Sequence, residues 1–195
     1  TVSVTGTHGK TTTTSLIAHL FVSSAVDPTV ITGGIINDWG SNARLGKGGW
    51  MAVEADESDG TFVKLPTEIG VVTNIDPEHL DYFGSVENMH REYRAFFKNI
   101  PFYGLAVTCI DHPVVREMVE DLRLREDGRP LLTYGRSDDA DIILRKVRFD
   151  GNKTVFDAAL GERAPGGARV MNDILLPTPG EHNALNALAA IATAA

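Results

Sequence analysis

The chain of 195 residues carries 18 Lys and Arg against 26 Asp and Glu, a net charge of -8, and is 43% hydrophobic. That balance argues against an extended nucleic-acid footprint and supplies enough apolar material for the core of one large domain. Cys109 is the only cysteine, so an intrachain disulfide is excluded and the reducing cytoplasm is the natural compartment; no apolar run reaches membrane-spanning length, so no membrane is expected as a partner.

The first stretch, Thr1 to Thr14, reads as strand, phosphate loop and helix. Val2 to Val4 is a short β-branched run, a turn punctuated by Gly6 and Gly9 follows, and Leu16, Ile17, Leu20 and Phe21 then recur at helical spacing. The general phosphate-loop pattern asks for a glycine where this chain has Val4, so the loop is a shorter form, Gly6-Thr7-His8-Gly9-Lys10-Thr11-Thr12. Its glycines let backbone amides approach an anion, and the helix behind them aims its unpaired amides and positive dipole end at the same point. Lys10 suits the outer phosphates and the Thr11 hydroxyl suits magnesium. The plainer reading is a glycine turn ahead of a Thr-rich helix.

Asp27-Pro28 breaks the first helix, Thr29 to Thr32 reads as a second strand closed by Gly33-Gly34, and residues 37–49 lack either period and are expected to form a loop. Trp50 to Ala55, Ile69 to Asn74 and Leu105 to Ile110 read as further strands. Val86, Met89, Tyr93, Phe96, Phe97 and Ile100 fit one helical stripe, and Val114, Val115, Met118, Val119 and Leu122 another. This alternation through residue 134 predicts an α/β fold with a mostly parallel sheet flanked by helices, of the P-loop nucleotide-binding type. From about Asp141 short β runs at 142–149, 154–160 and 169–176 surround the hairpin turn Asp150-Gly151-Asn152, which predicts a small antiparallel β appendage over about 141–177. Pro177, Pro179 and Gly180 separate it from a final helix expected to begin at His182 or Asn183. Both ends read as cut from a longer chain, since residue 1 is not methionine and the last apolar helix has no polar finish.

Three further groups carry chemistry. Glu54-Ala-Asp56-Glu57-Ser58-Asp59 ends an apolar strand, where open α/β sheets place ligands and where magnesium on a phosphate needs a hard carboxylate. Along a strand Glu54 and Asp56 face one side, while Glu57 and Asp59 are less regular. Thr73-Asn74-Ile-Asp76-Pro-Glu78-His79-Leu-Asp81 follows another strand; a histidine there is more often a loop or packing residue than a magnesium ligand, which makes Asp76, Glu78 and Asp81 the ordinary choices. Gly180-Glu-His182-Asn183-Ala-Leu-Asn186 opens the last helix, and an asparagine can pair with an adenine edge or simply cap the helix.

Together these four groups, in this order and across essentially the whole chain, resemble the central ATP-binding domain of the Mur ligases. The segment Gly33-Gly-Ile-Ile-Asn-Asp-Trp-Gly-Ser-Asn42-Ala-Arg44-Leu-Gly and the acidic run look most like the branch that joins L-alanine to UDP-N-acetylmuramate, with the muropeptide-recycling branch a close second. Other members carry a lysine, carbamoylated in use, in the helix after the His-Leu-Asp motif; this chain offers Tyr93 and Arg94 there. The resemblance implies an ATP-driven amide ligase working through an acyl phosphate. Lys10 would hold the β- and γ-phosphates, with Gly6, Thr7, His8, Gly9, Thr11 and Thr12 forming the loop around them. Thr11 and Glu54 would hold one Mg2+, and Glu54 with His79 a second. His182, Asn183 and Asn186 would surround the adenine, and Asn42 and Arg44 would reach the nucleotide sugar. Family members also have an amino-terminal domain that grips the uridine diphosphate and a carboxyl-terminal domain that brings the amino acid, both expected to lie outside this chain, so that the chain alone has the ATP site without turnover. The rival readings are a nucleotide switch, which lacks the Asn-Lys-x-Asp guanine motif because Ile75 follows Asn74, a small-molecule kinase sharing the phosphate loop, and a related ligase acting on folate or on a polypeptide.

Overall fold

The computed structural model describes residues 1–195 and contains ten strands in a single sheet. In chain order the strands are β1 (Val2–Thr5), β2 (Thr29–Ile36), β3 (Ser41–Arg44), β4 (Met51–Glu54), β5 (Ile69–Val72), β6 (Leu105–Cys109), β7 (Leu131–Gly135), β8 (Ile142–Asp150), β9 (Lys153–Leu160) and β10 (Arg169–Leu176). Five helices accompany them: α1 (Lys10–Ser23), α2 (Leu80–Phe83), α3 (Val86–Asn99), α4 (Pro113–Asp121) and α5 (Glu181–Ala194), with one 3-10 turn at Thr61–Lys64. The strand order is β10-β9-β8-β7-β6-β5-β1-β4-β2-β3. β1 lies between β4 and β5 and runs parallel to both, so the chain leaves it toward one edge and later returns to build the other. In open α/β sheets that reversal point, at the carboxyl ends of the strands, is where ligands bind.

The parallel strands are apolar because both faces are covered, and each face has its own core. On one side α1 and α5 pack over Val2, Val4, Val71 and Val107 with Ile17, Phe21, Ala187 and Leu188. On the other, α3 and α4 bring Met89, Tyr93, Phe96, Phe97, Val115 and Met118 against Val72 and Ala106. Each of the large α3 side chains contributes about 2 kcal/mol by leaving water. Ser85 caps α3 by accepting the Asn88 amide at 3.2 Å, so the predicted stripe has a defined start.

The structure corrects the expected end of the second strand and the expected loop at 37–49. β2 runs on through Gly33-Gly34 to Ile36, and the expected loop at 37–49 contains β3, which pairs antiparallel with β2. No apolar face announces β3; it is fixed at its far end, where the Arg44 guanidinium pairs with Asp27 and donates to the Pro28 carbonyl at 2.9 Å. The Lys47 amide and then Arg44 hold the Asp27 carboxyl below its ordinary pKa. Arg44, expected at a nucleotide sugar, is committed to this anchor and to the Trp39 ring, 5.6 Å from its guanidinium carbon. The antiparallel β strands expected over about 141–177 are present as β8, β9 and β10, and they extend the main sheet. β8 joins the main sheet in parallel through Tyr134↔Ile142 and Gly135↔Ile143, and only then do β9 and β10 add antiparallel. The joint is locked by Asp141, a buried carboxylate that accepts the Thr133 amide at 2.8 Å and its hydroxyl at 2.9 Å and pairs with Arg125 and Arg163. α5 begins at Glu181, one residue ahead of the earlier of its two expected starts.

Candidate nucleotide site

Register brings the chemical groups together. Val4 is paired with Glu54 on one side and Val71 on the other, so the turns after β1, β4 and β5 emerge side by side from one edge of the sheet. The loop Gly6–Gly9 occupies the middle. Gly6 has φ +129°, a backbone region closed to side chains, and an added Cβ would stand 2.2 Å from Thr73 Oγ1. Gly9, at φ +85°, precedes α1, and its missing Cβ leaves room for Asn186, whose Oδ1 would lie 2.6 Å away.

The loop is seated on the segment after β5. The Thr7 amide donates to the Asn74 carbonyl at 3.2 Å and the His8 amide to Asn74 Oδ1 at 2.7 Å, while Asn74 Nδ2 and Thr73 Oγ1 both donate to the His8 carbonyl. The Thr7 hydroxyl exchanges hydrogen bonds with the Asp76 backbone. The Thr7 and His8 amides are thereby used internally. Lys10, Thr11 and Thr12, the first residues of α1, have amides with no acceptor inside the helix, and the Thr13 amide is the first to close on Gly9.

Around this loop stand the charged groups. Thr11 Oγ1 is 3.0 and 2.8 Å from the two carboxylate oxygens of Glu54, which also accepts the Gly33 amide at 2.7 Å. Lys10 Nζ donates to the Gly6 and Thr7 carbonyls and to Glu57 Oε1 at 3.0 Å. Glu57, expected with Asp59 to be less regular than Glu54 and Asp56, is thus the carboxylate facing the lysine, and it is buried. Asp56 turns instead to the Ser58 amide, which lowers its pKa. His79 sits at φ +54°, a strained position costing on the order of 1 kcal/mol, and its Nε2 lies 3.9 Å from Glu57. Beneath them Tyr93 is fully buried, its phenol pushed to high pKa first by burial and then by the Glu57 charge; Arg94 faces outward to Asp121.

The fourth group meets the loop from α5. A cleft of about 230 Å³ is lined by His8, Gly9, Thr73, Asn74, Cys109, Tyr134, His182, Leu185 and Asn186. His182 and Asn186 face it, whereas Asn183 donates to the Pro179 carbonyl at 2.7 Å as a local cap. Sequence reasoning placed Glu57, Thr73 and Asn74 in its chemical groups, directly after apolar strands, but gave none of them a role; the structure sets Glu57 against Lys10 and Thr73 and Asn74 under the loop. Burial pushes the Cys109 thiol up to about 11. Its alkylation by iodoacetamide at pH 8 is therefore expected to run about two orders of magnitude slower than that of a free thiol and to accelerate as pH rises toward that value, read by mass spectrometry; a rate at pH 8 equal to a free thiol's would contradict the placement.

The chain is similar to known proteins over nearly its whole length. The family model described as the Mur ligase middle domain matches residues 4–194. A UDP-N-acetylmuramate--L-alanine ligase of Methylocella silvestris is 54% identical over 99% of this chain and 40% of its own length, and one of Methylobacterium nodulans is 56% identical over the same shares. Among solved structures, the UDP-N-acetylmuramate-alanine ligase MurC of Thermotoga maritima superposes with a TM-score of 0.78 at 27% identity, over 98% of this chain and 40% of that one. The MurF ligase of Thermotoga maritima in complex with ADP has the same fold, with a TM-score of 0.74 at 22% identity over 98% of this chain and 44% of that one. The chain spans 40% of the length of the relatives it matches. A glycine loop, two carboxylate turns and an asparagine-bearing helix meet at one sheet edge, and the family model covers nearly every residue: the chain belongs to the Mur ligase family, as its middle domain.

Proposed function

We propose that this chain is the ATP- and Mg2+-binding unit of a cytoplasmic ligase that joins L-alanine to UDP-N-acetylmuramate in peptidoglycan precursor synthesis, other parts of the protein gripping the sugar nucleotide and the amino acid. The observation that carries the reading is the triad of Lys10, Thr11 and Glu54 at the switch point, with Thr11 Oγ1 within 3.0 Å of both Glu54 oxygens. The identity of more than half to alanine-adding relatives supports the substrate pair. No helix is long and apolar enough to cross a membrane.

The donor set fits magnesium, because a hydroxyl and a carboxylate are hard oxygen ligands. Thr11 and Glu54 would hold it, and it would neutralise phosphate charge and orient the γ-phosphate. The chain's own residues do the rest. Lys10 neutralises the outer phosphates, and the amides of Lys10 to Thr12 at the positive end of α1 cradle them. His182 and Asn186, which face the cleft, take the adenine side, while Asn183 holds the start of α5. A substrate carboxylate brought to the γ-phosphate forms a bond to phosphorus as ADP leaves, and the amine then displaces phosphate; both steps depend on positioning and charge neutralisation.

Calorimetric titration of the full-length protein with a non-hydrolysable ATP analogue tests the reading. Magnesium is expected to tighten binding at least about tenfold, and an equal concentration of the GTP analogue to compete weakly. Binding indifferent to magnesium, or a preference for GTP, would replace the ligase with a nucleotide switch. Release of a stable phosphorylated sugar nucleotide in the absence of any amine would point to a kinase.

A further inference from the structure

We propose that His112 is a positioning residue for the phosphate loop: it orients the Asp76 carboxylate, Asp76 holds the His8 ring, and His8 gives the nucleotide's phosphates a nitrogen donor beside Lys10. The inference rests on the nucleotide-site reading above and adds to it a relay of three side chains.

Strand order brings the three together. His8 lies in the turn after β1, Asp76 in the turn after β5 and His112 in the turn between β6 and α4, and β1, β5 and β6 are neighbours in the sheet. Asp76 Oδ1 is 3.2 Å from His112 Nε2, a hydrogen bond, and Asp76 Oδ2 is 3.7 Å from His8 Nε2, a charge contact. One carboxylate is thus shared between two histidines, one on each oxygen.

His112 is the fixed end. Its side chain is 18% exposed, and its Nδ1 is buried with no partner. A carboxylate only accepts, so Nε2 carries the proton of this bond and Nδ1, facing no acceptor, is left as the bare nitrogen. The residue stands at the position that caps α4, yet its side chain makes no cap bond. Ser, Thr, Asp or Asn would serve the helix start better. The ring is turned to Asp76 instead.

Asp76 is joined to the loop through its backbone. Its amide donates to the Thr7 hydroxyl at 2.8 Å, and that hydroxyl donates to the Asp76 carbonyl at 3.2 Å. An exposed ion pair between two long side chains is worth little, because both chains have to be ordered to form it. Here the two backbones are already locked together, and only the torsions of three short side chains remain to be set. What His112 does to the carboxylate therefore reaches His8.

His8 is the free end. Its amide and carbonyl are committed to Asn74 and Thr73, while its side chain is 65% exposed. It lines a depression of about 340 Å³ together with Lys10, Thr11, Thr12 and Glu54, and it also lines the cleft of about 230 Å³ that His182 and Asn186 face. The residue stands where a nucleotide passes from one to the other. With Nε2 turned to Asp76, Nδ1 is the nitrogen left for a phosphate oxygen, and an imidazole held between a carboxylate and a phosphate donates an N–H to each.

Affinity of the full-length protein for the non-hydrolysable ATP analogue, measured by calorimetry with magnesium, tests the relay. His112→Leu and His8→Ala are each expected to bind about tenfold more weakly, the loss of one charge-assisted bond. His112→Gln, whose amide nitrogen can donate to Asp76 from the place of Nε2, is expected to stay within about threefold of the unmodified protein. The double variant His8→Ala/His112→Leu is expected to remain near a loss of about tenfold, because both changes break one chain. Circular dichroism establishes that each variant is folded; should His112→Leu fail to fold, Asp76→Ala takes its place in the cycle, with the same loss expected. Single losses that multiply to about a hundredfold, or a His112→Gln as weak as His112→Leu, overturn the proposal and leave His112 as packing beside the β5 turn. Failure of the unmodified protein to bind the analogue strikes the nucleotide-site reading instead. The relay is then decided without nucleotide, by long-range nitrogen–proton NMR of the histidine rings. His112 is expected with its proton on Nε2, and the His8 ring resonances are expected to shift in His112→Leu and to keep their places in His112→Gln. His8 resonances unmoved by His112→Leu overturn it.

Discussion

Gly6→Ala is expected to weaken binding of an ATP analogue by about a hundredfold, or about 3 kcal/mol, while leaving the sheet folded. Two costs add. At φ +129° an alanine is strained by on the order of 1–3 kcal/mol wherever it is placed. Its Cβ would also stand 2.2 Å from Thr73 Oγ1 and 2.8 Å from the Asn74 carbonyl, the groups on which the loop is seated. The loop has to lift, and the bonds from Thr73 and Asn74 to His8 break with it. Because these bonds lie outside both apolar cores, the loss falls on the site and far less on global stability. Calorimetry for affinity and circular dichroism for fold check this together. An affinity within threefold of the parent, at unchanged melting temperature, would sink the claim that loop geometry is set by this glycine.

Gly6 also marks how far the sequence can be read. The strand, glycine turn, lysine and helix are local signals, each written in a few adjacent residues, and the strands β5 and β6 are apolar runs that only a doubly covered sheet explains. What escaped is non-local. β3 buries no face and is held by Arg44 reaching back to Asp27, a contact without periodic trace. The hairpin chemistry of β8 and β9 is plain at Asp150-Gly151, but the two residue pairs that join β8 to β7 depend on where Asp141 is buried. The acidic run offers several carboxylates, and period-two reasoning ends with β4 at Glu54. Beyond that the turn decides, and it rotates Asp56 to its own Ser58 amide and Glu57 under Lys10. The seat provided by Thr73 and Asn74 is similarly a matter of two turns meeting, although both residues sit where ligands gather in such sheets.

The largest effect is expected from Lys10→Ala, which should lower kcat of the full-length ligase by about 10³-fold or more, since a cation placed on a transferring phosphoryl group acts chiefly in the transition state. The same change has a second consequence that is easily mistaken for the first. Glu57, 3% exposed, loses its charge partner, and removing one member of a buried pair costs roughly 3–5 kcal/mol of stability. A measured loss of activity alone would therefore confound chemistry with unfolding. The double variant Lys10→Ala/Glu57→Gln separates them, because the neutral amide no longer needs a cation: its melting temperature is expected to return most of the way to that of the parent, while kcat stays down by about 10³. Restoration of turnover along with stability would show that Lys10 serves only to neutralise Glu57. Stability recovered without turnover would place the lysine charge on the phosphates, where the loop, the helix amides and Glu54 all converge.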